Sequence, residues 1–208
     1  MHGGTSAKLD QQVRLALCKR EEGNDAYKRG DLIAADEAYG AAVELLERRP
    51  SARFVGTRPT SSDQNEDQLL AMCLSSRAEC ILDMAEGKGQ LPDGTPFMSQ
   101  FQEQEHFTYF CRQALKQAEE CAEKACLVWA DDKSLYRLGL SRMLSAQSAR
   151  VEALWLLPED NIEVMKDAGR CFLKSIKARP CEAARQRLEE VRRWLAERQV
   201  TTLYPEYV

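Results

Sequence analysis

The chain has 208 residues and a formal net charge of −4, with 44% hydrophobic and 30% charged residues. This length suffices for one domain, or two small ones, with a core of its own, and the composition is typical of a folded, mostly helical protein. The weak negative charge would repel nucleic acid, so an anionic ligand would need a local basic site.

Two features bear on the compartment. Residues 13–18, which read Val-Arg-Leu-Ala-Leu-Cys, are too short and too closely followed by charge for a signal peptide or a membrane span. The eight cysteines lie within helical patterns and lack the CxxC spacing of zinc sites. We therefore expect a cytoplasmic protein with buried, reduced cysteines and with no metal, no cofactor and no membrane contact.

Small and aromatic residues follow a regular spacing between residues 23 and 42. They are Gly23, Tyr27, Gly30, Asp31, Ala35, Tyr39 and Ala42. The spacing predicts a helical hairpin from about Leu9 to Leu46, with its turn at Gly30 and Asp31. A loose N-terminus at 1–8 would precede it.

Residues 49–66 have no sustained apolar period and predict a surface loop. A helix resumes near Asp67, with an apolar stripe that ends at an insertion, 87–100, rich in glycine and proline.

The partner helix is predicted from near Ser99 to Trp129. Within it Phe107 and Phe110 are three residues apart, so we expect them to bury together as a cluster beneath the insertion.

A third hairpin begins at Lys133, and its first helix is predicted to run to about Leu157, where Pro158 stops it. Its second helix repeats a small, aromatic, small, proline spacing at Ala168, Phe172, Ser175 and Pro180. An amphipathic helix at 181–198 is expected to cap the stack, followed by a tail at 199–208.

The spacing at 23–42, and again at 168–180, resembles the tetratricopeptide repeat, a helical hairpin of about 34 residues. The chain as a whole is similar to the three-repeat tetratricopeptide domains of chaperone adaptors over about 180 residues. The resemblance implies an all-α fold: a right-handed solenoid of three helical hairpins and a capping helix, a single domain spanning 9–198.

In that family a carboxylate clamp holds the C-terminal Glu-Glu-Val-Asp of cytosolic heat-shock chaperones. The matching positions are Arg20, Asn24, Ser76, Lys133 and Arg137, and Ser76 departs from the usual Asn by offering a single donor. The resemblance implies a co-chaperone whose partner is the C-terminal peptide of the ninety- or seventy-kilodalton chaperone class, with a client protein that the sequence does not name.

Other interpretations of these basic residues remain open. An isolated basic pair four residues apart is usually a solvated helix face, and Glu21, Asp131 or Asp132 could neutralise these cations internally. The alternative function is a tetratricopeptide scaffold that binds an unrelated protein partner without using a carboxylate clamp.

An enzyme is not indicated. The only histidines are His2 and His106, too few for a catalytic triad or a multi-histidine zinc site, and Gly87-Lys88-Gly89 lacks the pattern of a phosphate loop. The arginines of the last helix alternate with glutamates, which indicates a solvated face rather than a nucleic-acid site.

Overall fold

The protein is described from a computed structural model that covers residues 3–47, 61–152 and 158–197. These ranges form an all-α structure with one short 3-10 helix, no strand, and an isolated β-bridge between Gln90 and Pro96. The α-helices are α1 (Gly3–Lys28), α2 (Leu32–Glu47), α3 (Ser61–Ala85), α4 (Gln104–Trp129), α5 (Asp132–Glu152), α6 (Pro158–Ala178) and α7 (Glu182–Glu197). Among the helices described, none has the length and apolar character needed to cross a membrane.

The helices belong to two compact units that divide between Ala130 and Asp131. In the first unit α1 packs against α2 and α3 against α4, and α2 also contacts α3. In the second unit α5 packs against α6, which in turn contacts α7. The all-α class is therefore confirmed, while a continuous solenoid of three repeats stays a prediction.

The second helix of each pair buries three residues at the same spacing of four and three. The triplets are Ala35, Tyr39 and Ala42 in α2, Ala118, Ala122 and Ala125 in α4, and Ala168, Phe172 and Ser175 in α6, each at most 2% exposed. Residues at this spacing share one helix face, so each second helix packs through a stripe of mostly small side chains. The spaced residues noted in the sequences of α2 and α6 are thus buried on one helix face.

Two glycines in first helices make room for aromatic rings. A Cβ atom built on Gly23 would lie 2.8 Å from the Tyr39 ring, and one built on Gly139 would lie 2.9 Å from the Phe172 ring. Carbon atoms in contact normally lie about 3.5–4.0 Å apart, so the helix contact itself requires glycine at both positions. The same small-against-aromatic contact thus joins α1 to α2 and α5 to α6.

The first hairpin turns where predicted. Gly30 has a φ of +81°, the left-handed conformation that commonly ends a helix. Asp31 Oδ1 accepts a hydrogen bond from the Ala34 N–H at 3.1 Å and so caps α2. The segment between α3 and α4 packs on this turn, since the Gln90 N–H donates to the Gly30 carbonyl at 2.8 Å.

The same segment covers an aromatic cluster. The rings of Phe97, Phe101, Phe107 and Phe110 contact one another with centroids 5.2 to 6.3 Å apart. Phe97 is fully buried and the other three are half-buried. The predicted clustering of Phe107 and Phe110 is confirmed, and the insertion is a packed part of the first unit.

Two helices begin earlier than predicted. α1 begins at Gly3 rather than near Leu9, so residues 3–8, expected to be loose, are helical. α3 begins at Ser61 rather than near Asp67. Residues 61–66 lack an apolar period, but they contain no glycine or proline, so nothing stops the helix from extending beyond its packed part.

Two further boundaries also differ. α4 begins at Gln104, whereas Ser99 belongs to the short 3-10 helix. Pro158, predicted to stop α5, is the first residue of α6, a position where the missing N–H of proline breaks no helical bond. The predicted loop at 49–60, the last turn predicted for α5 and the predicted tail lie outside the described residues.

α7 is the amphipathic helix that the sequence predicts. Its buried residues are Ala184, Leu188, Val191, Trp194 and Leu195. On the other face Arg187 pairs with Glu190 at 2.8 Å, and Arg192 pairs with Glu189 at 2.5 Å. These intrahelical pairs make a mixed-charge surface rather than a basic stripe.

Candidate peptide-binding site

Arg20 carries a polar atom for which the described part of the chain supplies no acceptor. The residue lies on α1 and is half-buried, and its Nε atom is shielded from solvent without a hydrogen-bond partner among the described residues. Glu22 pairs with Lys19 at 2.6 Å, and no ion pair joins Arg20 to Glu21 in the described ranges. A buried donor left without an acceptor costs roughly 1–3 kcal/mol. Because the described ranges also contain no ion pair of the Arg20 guanidinium, its charge is available to an anion supplied from outside.

Asn24, one turn after Arg20, is oriented by the first helix pair. The Tyr39 hydroxyl donates a hydrogen bond of 2.9 Å to Asn24 Oδ1. Because the carbonyl oxygen is held in this way, the amide NH₂ is the part that remains for a ligand. The Tyr39 ring can take this position only because residue 23 is glycine.

Ser76, the third predicted site residue of the first unit, lies half-buried on α3. Its neighbours have structural roles: Ser75 is buried, and Arg77 donates two hydrogen bonds to Asp36 of α2, at 2.8 and 3.4 Å. No hydrogen bond of Ser76 is found in the described ranges, so its hydroxyl stays available. The sequence did not indicate the Arg77–Asp36 pair, because 41 residues separate its members.

A buried thiol lies within electrostatic reach of Arg20. Burial raises the pKa of the Cys73 thiol to about 11, and the positive charge of Arg20 partly offsets this effect. The thiol is therefore neutral at physiological pH and does not balance the charge of Arg20.

Arg20 also lies in an open groove between α1 and α3, with a volume of about 580 Å³. Its lining residues are Val13, Arg14, Leu17, Arg20, Asn65, Glu66, Gln68, Leu69 and Met72. Residues 13, 17, 20 and 24 advance by four, three and four, which places them along one face of α1. This spacing is a signal in the sequence that indicates one continuous face of α1 along the groove.

In the second unit, Lys133 lies in the first turn of α5 and is exposed. Asp131 is occupied by capping, since its Oδ1 accepts from the Ser134 N–H at 2.7 Å and its own N–H donates to Ser134 Oγ at 3.1 Å. Within the described part of the chain Lys133 forms no ion pair. A cation in the first turn is disfavoured by the helix dipole, so Lys133 has no stabilising local role there.

Arg137 lies one turn after Lys133, on the same face of α5. It is only 9% exposed and interacts with other groups of the chain, so it is not a free cation. Lys133 is thus exposed as a clamp residue should be, whereas Arg137 is more buried than a solvent-facing cation. The convergence of Arg20 and Asn24 with Lys133 and Arg137 stays a prediction.

Two polar residues that the sequence analysis considered for catalysis or phosphate binding lie near surface carboxylates. His106 is exposed and lies 3.8 Å from Glu103. Lys88 pairs with Asp83 at 2.9 Å and with Glu86 at 2.5 Å. Among the side chains that the structure describes, those of residues 11–47, 64–148 and 161–197, no group of three or more His, Cys, Asp or Glu could hold a metal ion.

Neither a protein-family model nor a curated protein gives a significant match to this chain. The described residues define an all-α protein built from repeated helix pairs, with a groove and unengaged donors on the first helices of those pairs.

Proposed function

We propose that the protein is a tetratricopeptide adaptor that binds the C-terminal Glu-Glu-Val-Asp of a cytosolic heat-shock chaperone and so acts as a co-chaperone. The observation that carries this proposal is a set of hydrogen-bond donors without acceptors at the positions matched to the family. Arg20 Nε, the Asn24 amide and the Lys133 ammonium each lack a protein acceptor within the described ranges.

The chemistry of these donors suits a terminal Asp, which presents two carboxylates. Arg20 can hold one carboxylate through its planar guanidinium, and Lys133 adds a point charge. Asn24 and Ser76 contribute neutral donors, and Arg137, on the same face of α5 as Lys133, adds a second guanidinium. Charge-assisted hydrogen bonds contribute roughly 1.5–3 kcal/mol each. After the cost of ordering the peptide is subtracted, the expected free energy of binding is about −8 kcal/mol, which corresponds to a Kd in the micromolar range.

Packing inside the helix pairs supports the tetratricopeptide assignment. Glycine meets an aromatic ring in both α1–α2 and α5–α6, and all three second helices bury residues at the same four-and-three spacing. A repeated contact of this kind is typical of arrays in which each helix pair repeats the packing of its neighbour.

A titration with two peptides tests the proposal. Isothermal calorimetry would compare Glu-Glu-Val-Asp as the free acid with the same peptide as its C-terminal amide. We expect the free acid to bind in the micromolar range and the amide at least about tenfold more weakly, because the amide removes one carboxylate. Equal binding of the two peptides, or no binding of either, would contradict the proposal and favour a scaffold that uses no clamp.

A further inference from the structure

We propose that Thr95 is a phosphorylation site for a proline-directed protein kinase, and that the phosphate releases the segment 89–97 from the first helix pair. This segment is the part of the insertion between α3 and α4 that packs on the turn at Gly30. The inference is independent of the proposed function, because no residue of segment 89–97 belongs to the candidate peptide-binding site.

Thr95 has a sequence context that occurs once in the chain. Of all the serines and threonines in the 208 residues, only Thr95 is followed by proline. A kinase cleft that leaves the N–H of the following residue without an acceptor favours proline at that position, because proline has no N–H to desolvate. The pair Thr95-Pro96 therefore suits the kinases whose substrates carry proline directly after the modified residue.

The structure presents Thr95 in an exposed tight turn. Residues 92–96 are all exposed, and the Leu91 N–H closes the turn by donating to the Thr95 carbonyl at 2.8 Å. A Cβ atom built on Gly94 would meet no other atom within 4 Å, so the tip of the turn faces open space. Pro96 continues in an extended conformation, with φ −57° and ψ 140°. The turn is therefore accessible from solvent, as a kinase requires of its substrate.

The Thr95 hydroxyl helps to hold this turn together. Its Oγ1 donates a hydrogen bond to Asp93 Oδ1 at 2.7 Å, and the Thr95 N–H donates to the same oxygen at 3.0 Å. These two hydrogen bonds lower the pKa of the Asp93 carboxyl, which is therefore ionised at neutral pH. The atom that would receive the phosphate is thus also a structural donor of the turn.

Phosphoryl transfer converts this donor into a source of repulsion. Thr95 Oγ1 forms a bond to the γ-phosphorus of ATP, the bond from that phosphorus to the bridging oxygen of ADP breaks, and the hydroxyl proton passes to a base of the kinase. The ester oxygen no longer donates to Asp93, and the phosphate adds about 1.5 to 2 negative charges beside its carboxylate. The nearest cation along the chain, Lys88, is already paired with Asp83 and Glu86, at 2.9 and 2.5 Å. The phosphate should therefore open the turn.

The turn lies between the two residues that anchor the segment. On one side the Gln90 N–H donates to the Gly30 carbonyl at 2.8 Å, and on the other Phe97 is 2% exposed within the aromatic cluster. Gln90 and Pro96 form the isolated β-bridge, and the Phe97 N–H donates to the Gly89 carbonyl at 3.0 Å. Opening the turn removes the pairing that keeps the two anchors together, so both hydrogen bonds should break more often.

Phosphorylation of the full chain in vitro tests the site. Two purified proline-directed kinases, one cyclin-dependent and one mitogen-activated, would be incubated with the folded chain and ATP, and the product mapped by mass spectrometry. We expect a single phosphate, on Thr95, with Pro96→Ala reducing the rate about tenfold or more. Thr95→Ala should abolish the modification. Ser99→Ala is the matched control, since it removes an exposed hydroxyl of the same insertion and should leave the rate unchanged.

A synthetic peptide of residues 89–100 separates the effect of sequence from that of the fold. The folded chain should be phosphorylated at a rate within about tenfold of that of the peptide, because the turn already exposes Thr95. If neither kinase modifies the folded chain, or if Thr95→Ala is modified to the same extent as the unaltered chain, the site assignment is wrong.

Hydrogen exchange followed by mass spectrometry tests the release. In the phosphorylated chain the amides of Gln90 and Phe97 should exchange about tenfold faster or more than in the unmodified chain, whereas those of residues 168–175 in the second unit should not change. Thr95→Val, which removes the hydroxyl donor without adding charge, should give a smaller increase. Equal exchange in the phosphorylated and unmodified chains would overturn the proposed release.

Discussion

At the residue scale, the candidate site contains side chains that their surroundings do not favour. Arg20 Nε is shielded from solvent and finds no acceptor among the residues that the structure describes, and Lys133 brings a positive charge into the first turn of α5. Both arrangements oppose folding stability. Side chains that lower the stability of the fold are typical of residues that serve binding. Substitution at these positions should therefore raise the stability of the protein and lower its affinity for the peptide.

Replacing Arg20 by methionine should weaken peptide binding without destabilising the protein. Methionine retains an apolar stem in the half-buried site and removes the donor that lacks an acceptor. We expect the free energy of unfolding to stay constant or rise by up to about 1 kcal/mol, while affinity for free-acid Glu-Glu-Val-Asp falls at least tenfold. Urea denaturation and calorimetry measure the two quantities. A fall in stability of more than about 1 kcal/mol would mean that Arg20 has a structural partner.

Reversing the charge at Lys133 should likewise weaken peptide binding without lowering the stability of the protein. Lys133→Glu places an acid in the first turn of α5, where the helix dipole favours it, so stability should rise by about 0.3–1 kcal/mol at low salt. Binding of the Glu-Glu-Val-Asp acid should be lost through repulsion. Lys174→Glu is the control, an exposed lysine on α6 of the same unit. If both variants bind the peptide equally well, Lys133 is not part of the site.

At the element scale, one helix contact links the fold to the site. Tyr39 packs against Gly23 and at the same time holds the amide of Asn24, so the close approach of α1 and α2 positions a predicted ligand donor. In the second unit Phe172 packs against Gly139 in the same way but has no hydroxyl group. The two helix pairs therefore share a packing contact, and only the first uses it to orient a site residue.

Replacing each of these two glycines by alanine tests whether the helix contact requires glycine. Gly23→Ala and Gly139→Ala each place a methyl group under 3.0 Å from an aromatic ring. Overpacking should outweigh the gain in helix propensity, for a net loss of about 1–2 kcal/mol in the free energy of unfolding. The control is Gly40→Ala on α2, where the nearest atom is the Arg77 guanidinium carbon at 3.4 Å, and there stability should rise by up to about 1 kcal/mol.

The same variants also separate packing from binding. Gly23→Ala should weaken Glu-Glu-Val-Asp binding, because a displaced Tyr39 no longer holds Asn24. Gly139→Ala has no such connection to a ligand donor. Thermal unfolding followed by calorimetry with the peptide would decide, and equal stability of all three alanine variants would show that neither ring contact constrains the fold.

At the scale of the whole molecule, buried thiols are distributed through both units. Cys73, Cys80 and Cys121 are buried in the first unit and Cys171 in the second. Burial raises the pKa of each of these thiols, to about 11 for Cys73. They act as small apolar residues of the core and keep their protons well above neutral pH.

Stability should therefore fall as the solution becomes alkaline. Above about pH 8.5 the unfolded chain releases thiol protons that the folded chain retains. The unfolded state then binds fewer protons, so the free energy of unfolding decreases with rising pH, by up to about 1.4 kcal/mol per pH unit for each thiol. For Cys73 this loss continues until about pH 11.

Urea denaturation at pH 7.5, 8.5 and 9.5 under reducing conditions measures this slope. Cys73→Ala should make the decline shallower, and Cys18→Ala, at an exposed position, should leave it unchanged. Stability that is constant over this range would contradict the proposed burial of protonated thiols.

The sequence by itself determined the all-α class, the turn at Gly30 and the regular spacing of the residues that α2 and α6 bury. These features depend on residue spacing within one helix or on glycine at one turn, so local physical chemistry suffices to predict them. The first residues of α3, Ser61, and of α6, Pro158, were predicted less well. A polar run without glycine and a proline in a first turn are each compatible with both helix and loop.

The five candidate site residues also came from sequence, but their surroundings did not. Only the tertiary structure decided that Arg137 is buried, that Arg20 Nε lacks an acceptor among the described residues and that Leu17 faces a groove. It likewise paired Arg77 with Asp36 across two helices. Burial, pairing and groove shape depend on side chains brought together from distant parts of the chain, and no spacing within a single helix encodes them.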